Sequence, residues 1–166
     1  MPLLSVISYY YGVRPYHGNI LAWQFGLWVS SLWFYRDWLT TLLEIGLVIW
    51  AGQDLDQRMI AAWPLELWVV GMLVVQPTQW LQALIALSLS LLFGWVTQGF
   101  GVGDALVIAA LAAHFVLIEL LWVMLLACGT TIVHYWLHRA PTYPFVFHLA
   151  LATQLWLWFG AATSVV

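Results

Sequence analysis

Residues 104–137 read DALVIAALAAHFVLIELLWVMLLACGTTIVHYWL. Only Asp104 and Glu119 in this stretch carry a formal charge, and no polar stripe recurs at helical spacing. A surface helix of a soluble protein keeps one polar face, whereas a helix in lipid is apolar all round. One bilayer crossing takes roughly 20 residues, so this stretch is too long for a single span. It divides near His114 into a short helix and a longer one.

The rest of the chain continues the theme. Of 166 residues, 64% are apolar and 7% are charged, with seven acids, four arginines and no lysine. A soluble domain is about a quarter charged, so this composition excludes one. It predicts an all-α, polytopic integral membrane bundle of about six to seven transmembrane helices. Polar breaks at Arg36-Asp37, Gln53 to Arg58, Gln76 to Gln79, Gln98 to Asp104 and His138 to Tyr143 separate the apolar runs. Helices are predicted over 20–36, 39–54, 60–76, 80–97, 104–114, 116–137 and 144–164. Residues 1–38 form an N-terminal segment with the first helix, and 39–166 form the main domain. Trp23, Trp38, Trp63, Trp80, Trp95, Tyr135 and Tyr143 stand near the breaks, as interfacial aromatics do.

The arginines orient this layout. With seven crossings and the N-terminus inside, Arg14, Arg58 and Arg139 fall on the cytoplasmic side and Arg36 outside, in line with the positive-inside tendency. Merging 104–137 into one crossing would move Arg139 outside, which favours the split at His114. Several other functions are excluded. The single cysteine, Cys128, allows no internal disulfide and no CxxC zinc site. A net charge of −3 with scattered arginines offers no basic stripe for nucleic acid. Residues 1–18, with Tyr9-Tyr10-Tyr11 and two prolines, lack the basic start and apolar run of a cleavable signal peptide.

In so apolar a chain each acid needs a reason, because an ionised side chain in hydrocarbon costs several kcal/mol. Two polar breaks fall on the same predicted cytoplasmic face: Gln53-Asp54-Leu55-Asp56-Gln57-Arg58 and Gly101-Val102-Gly103-Asp104. The first ends a helix and the second opens one. Gly101 and Gly103 allow the close backbone approach that a side chain would block. If Asp54 and Asp104 share one pocket at the membrane edge, two nearby carboxylates do not both ionise easily. One then holds its proton and donates it while the other activates water. Each piece also has a plain structural reading: Asp104 as a helix cap, Asp54 and Asp56 as a solvated loop, the glycines as packing residues.

These residues resemble the prepilin peptidase family, the type IV leader peptidases among the membrane aspartyl proteases with a Gly-x-Gly-Asp motif. Asp54-Leu55-Asp56-Gln57-Arg58-Met59-Ile60 is similar to the family's first aspartate segment. Gly101-Val102-Gly103-Asp104, followed by Ala105-Leu106-Val107-Ile108, is similar to its second. Arg139-Ala140-Pro141-Thr142-Tyr143-Pro144-Phe145 resembles the segment that introduces its last helix. The resemblance covers roughly 39–164. It departs at Leu106, where members often carry lysine, and at Ala61-Ala62, where Pro-Asn or similar is usual.

The resemblance implies an aspartic endopeptidase in the inner cell membrane, multi-pass, with its active site facing the cytoplasm. Such enzymes remove basic leader peptides from type IV prepilin or pseudopilin-like precursors. Asp54 and Asp104 would be catalytic, with Gly101, Gly103 and Asp56 supporting, and no cofactor or metal would be required. A single cysteine and no comparable soluble insert imply the short, peptidase-only form. The alternatives are a catalytically inactive membrane-assembly subunit of the same fold and a small proton-coupled transporter.

A transporter would draw on the acids within the predicted spans, Glu44, Glu66 and Glu119. Glu66, near the middle of its span and two residues after Pro64, is the best proton-path residue among them. The plainer role for all three is a protonated or hydrogen-bonded packing residue. His134 and His138, at i and i+4, face one side of a helix, and His148 could join them from the next. They fit a metal pair less well than ordinary packing. Cys128 and Ser30-Ser31 lack the surroundings of an activated nucleophile.

Overall fold

The computed structural model describes Gly26 and Val29 and residues 38–57, 60–97, 101–138 and 143–163. The predicted first helix over 20–36 and the four arginines that orient the layout therefore fall outside the described residues, apart from Gly26 and Val29, which are helical. From residue 38 onward the described chain forms six α-helices and one 3-10 turn, with no strand. The helices are α1 (Trp38–Gln57), α2 (Ala62–Val75), α3 (Trp80–Thr97), α4 (Val102–His114), α5 (Leu117–His138) and α6 (Phe145–Thr163). The 3-10 turn, Pro77–Gln79, leads into α3. Proline there is at home, since the first turn of a helix needs no N–H from it.

The break expected near His114 lies at Phe115 and Val116, and its cause is local. The Val116 N–H donates to the Glu119 carboxylate at 3.3 Å, while the Val116 carbonyl accepts from Leu120 at 3.0 Å. This is the returning half of a capping box, in which an acid three residues into a helix closes back on the cap. From α3, the Gln82 amide donates to the Phe115 carbonyl at 3.0 Å. Glu119 is thus a helix-start residue that lets the chain stop and restart inside an apolar stretch.

Among the described residues, two helices are long and apolar enough to cross a membrane: the 3-10 turn with α3, Pro77–Thr97, and Leu117–Leu137 of α5. Most of their apolar side chains face outward, including Leu89, Phe93, Trp95, Leu125 and Trp136. A buried core helix of a soluble protein would hide them, and exposed apolar faces of this extent mark contact with lipid or a partner. Hydroxyls on these helices close onto their own backbone. Ser88 donates to Leu84, Thr97 to Phe93, and Thr130 and Thr131 both to Ala127. That leaves little polarity on the outward faces.

The chain divides into two compact units. One contains residues 59–121 and the other the chain before and after it. In the 59–121 unit, α4 packs against both α2 and α3. Its residues Ala105 and Val107 to Ala113 are all buried. The four alanines among 109–113 give α4 a thin profile, so flanking helices can approach closely. In the other unit α1 packs against α6, burying Leu43, Leu47, Val48 and Ala51 from α1 and Val146, Leu149, Ala150 and Ala152 from α6. The latter half of α5 belongs to the same unit, where the Trp122 and Trp156 rings stack nearly parallel with centroids 6.3 Å apart.

Candidate functional site

Asp54 lies in the last turn of α1, an unfavourable place for an acid, because the carbonyl end of a helix carries partial negative charge. The structure compensates it from elsewhere. Asp54 is buried, and its Oδ2 accepts hydrogen bonds from the backbone N–H groups of Val146 at 2.8 Å and Phe147 at 3.4 Å. These are the second and third residues of α6, the donors that a local cap side chain ordinarily satisfies. The preceding residue is Pro144, whose carbonyl accepts the first helical bond from His148 at 3.3 Å. Proline has no side-chain acceptor, so α6 takes its cap from α1.

Asp104 sits in the other unit, three residues into the cap-and-helix sequence that Gly101 opens. Its Oδ2 accepts from the Gly101 N–H at 2.8 Å. Gly101 has no side chain with which to return the bond. Asp104 is half-buried, and no hydrogen bond to its Oδ1 occurs among the described residues. The helix starts at Val102, so Asp104 is its third residue rather than its cap.

The two glycines differ in purpose. Both have ordinary backbone angles for any residue, and Gly101 is extended at φ −85°. A Cβ on Gly101 would stand 3.3 Å from Asp104 Oδ2, so a side chain there presses on the carboxylate. A Cβ on Gly103 would meet Ile60 at 3.5 Å, an ordinary contact. Gly103 therefore rests against the aliphatic residue that closes the Asp54-to-Ile60 segment. Asp56 occupies the last turn of α1, and its side chain lies outside the described residues.

The acids of the predicted spans differ in burial. Glu66 is exposed on α2. The fully enclosed acid is Glu44 on α1, whose Oε2 accepts from the Gln154 amide of α6 at 3.0 Å. Its Oε1 has no hydrogen-bond partner. Sequence spacing could not single out Glu44, because its partner stands at position 154.

A second polar group links α5 and α6. Thr130 donates its hydroxyl proton to the Ala127 carbonyl at 3.0 Å. Its oxygen then accepts from His148 Nδ1 at 3.1 Å. That fixes His148 Nε2 as the acceptor for the His134 Nδ1–H, 2.9 Å away. The predicted approach of His148 to the α5 histidines thus occurs at His134, as a hydrogen-bonded pair. The His138 side chain lies outside the described residues.

No family model, curated protein or solved structure matches this chain.

Proposed function

We propose that the chain is a multi-pass membrane aspartyl endopeptidase of the prepilin-processing kind. It removes the basic leader of type IV pilin-like precursors at the cytoplasmic face of the inner membrane. Asp54 and Asp104 share the work on the scissile peptide bond. One carboxylate takes a proton from the attacking water while the other, protonated, donates to the leaving amine. Neither metal nor cofactor has a part in this scheme.

The observation that supports the reading is the approach of Ile60 to Gly103, near enough that a Cβ on the glycine would touch it. Ile60 follows the first aspartate segment and Gly103 belongs to the Gly-x-Gly-Asp turn, and both lie in the 59–121 unit. The open Oδ1 of Asp104 and the buried setting of Asp54 suit groups that handle protons, and the acidic excess suits a basic leader. The two helices apt for membrane crossing support a bilayer location.

One observation favours a second reading. Asp54 Oδ2 is engaged by the start of α6, which is what a non-catalytic assembly subunit of this fold would also keep. Asparagine separates the two, because it caps a helix about as well as aspartate but is no acid. The test is co-expression with a type IV prepilin, reading precursor mass for wild type, Asp54→Asn, Asp56→Ala and Asp104→Asn. The peptidase reading expects leader removal to stop in the first and third variants and to persist in Asp56→Ala. Cleavage that survives Asp104→Asn excludes it.

A further inference from the structure

Glu44 is 1% exposed, and the candidate peptidase chemistry makes no use of it. Its Oε2 accepts the Gln154 amide at 3.0 Å, while Oε1 meets no hydrogen-bond partner. An ionised carboxyl needs donors on both oxygens, and a buried one that lacks them takes up a proton instead. No cation in this unit answers the charge. The other titratable side chains described here are Asp54 on α1, Cys128, His134 and Tyr135 on α5, Tyr143, and His148 on α6. None of them bonds to Glu44: Asp54 meets the start of α6, and His134 meets His148.

The polarity around Glu44 is one-sided. Thr40 and Thr41, both buried, stand four and three residues before it on the same face of α1. Thr153, also buried, adjoins Gln154 on α6. In the other direction, toward Asp54, the buried side chains of α1 are Leu47, Val48, Trp50 and Ala51. At roughly 1.5 Å per residue, Glu44 lies about 9 Å along the helix from Trp38 and about 15 Å from Asp54. Trp38 itself is exposed. A polar seam therefore runs from Glu44 to the open start of α1, and apolar packing closes the way to Asp54.

We propose that Glu44 is an exchangeable proton-binding site, loaded and unloaded along the Thr40–Thr41 side of the α1–α6 seam. A hydroxyl both donates and accepts, so a threonine passes a proton where a valine cannot. On loading, the proton bonds to Oε1, and on unloading it leaves toward water at the Trp38 end. The Gln154 amide stays on Oε2 in both states and holds the carboxyl in place. The site is independent of peptidase activity, since Asp54 and the start of α6 lie beyond the apolar stretch. An acid buried in this way is the kind of group through which membrane proteins couple to protons.

Infrared difference spectroscopy tests this on full-length protein in phosphatidylcholine vesicles, reading the carbonyl stretch of a protonated carboxyl. Wild type should show a band that Glu44→Gln lacks, and Glu44→Asp, which keeps the acid, should show it displaced. The wild-type band should fade reversibly as pH is raised and shift when the buffer is changed to D2O. Thr41→Val should slow that deuterium shift by about fivefold or more, because it removes the hydroxyl, whereas Thr41→Ser should match wild type. A band indifferent to both pH and D2O would mean a proton locked in place for packing, and would overturn the proposal. The absence of any band lost in Glu44→Gln would do the same. An unchanged exchange rate in Thr41→Val would overturn the route. Loss of the band on adding sodium at constant pH would mean a metal-cation site and would equally overturn it.

Discussion

The Asp54 carboxylate accepts the backbone N–H of Val146 at 2.8 Å, so the last turn of α1 caps the first turn of α6. One group answers two electrostatic problems. It removes an acid from the negative end of its own helix and places it at the positive end of another. Asp54→Ala should therefore lower stability by about 1–2 kcal/mol even if no chemistry passes through it. Asp54→Asn should remain within a few tenths of wild type. Denaturant titration of the protein in mild detergent measures both, and equal losses would remove the capping account.

The buried Glu44–Gln154 pair should show strong coupling. Gln154→Leu takes away the amide that meets Glu44 Oε2 and leaves a buried carboxyl without its partner, at a cost of about 1–3 kcal/mol. Replacing both with leucine should recover part of that loss, since no buried carboxyl is then left without its amide. A double-mutant cycle on unfolding free energy reads the coupling, and simple additivity would contradict it.

At the restart of α5, Glu119→Ala should free the Val116 N–H and cost about 0.5–1 kcal/mol, whereas Glu119→Gln keeps the returning bond. Amide exchange at Val116 is the direct readout. Faster exchange in the alanine variant alone is expected. The same rate in both variants would show that Glu119 is not the residue that sets the break.

The two glycines of the turn, Gly101 and Gly103, should respond in opposite ways. Gly103→Ala gains an ordinary contact with Ile60 and a better helix former, so stability should hold or rise by about 0.5 kcal/mol. Gly101→Ala forces the Asp104 carboxylate to shift by a few tenths of an ångström. On the peptidase reading, leader cleavage should fall severalfold in Gly101→Ala and stay near wild type in Gly103→Ala. A cleavage assay with the same prepilin compares them.

What the sequence makes legible is local. From residue 38 onward, apolar runs and their polar interruptions mark the described helices to within a few residues, because the breaks in composition coincide with the breaks in the helices. Even the division of 104–137 could be placed, although the reason for it, Glu119 closing on Val116 with Gln82 reaching across, was hidden. The Gly101–Asp104 turn could likewise be read from four consecutive residues. Asp54 could not be seen as a cap for α6, nor Glu44 as the enclosed acid. Their partners lie 92 and 110 residues away, and no spacing rule reaches so far. Glu66 looked central by its place in a span. Exposure depends on which face of α2 meets α4, and α2 is apolar on every side.

The pairing of α1 with α6 also sets a timetable. Some hundred residues separate the end of α1 from the end of α6, which at about 5–20 residues per second is a wait of roughly 5–20 s during synthesis. Throughout that interval Glu44 and Asp54 have neither Gln154 nor the start of α6 to receive them. The nascent chain must carry two unsheltered acids on α1 until α6 arrives. Premature termination before residue 145 would leave that debt unsettled, so truncated chains should be marked for degradation by the same two side chains that secure the finished protein.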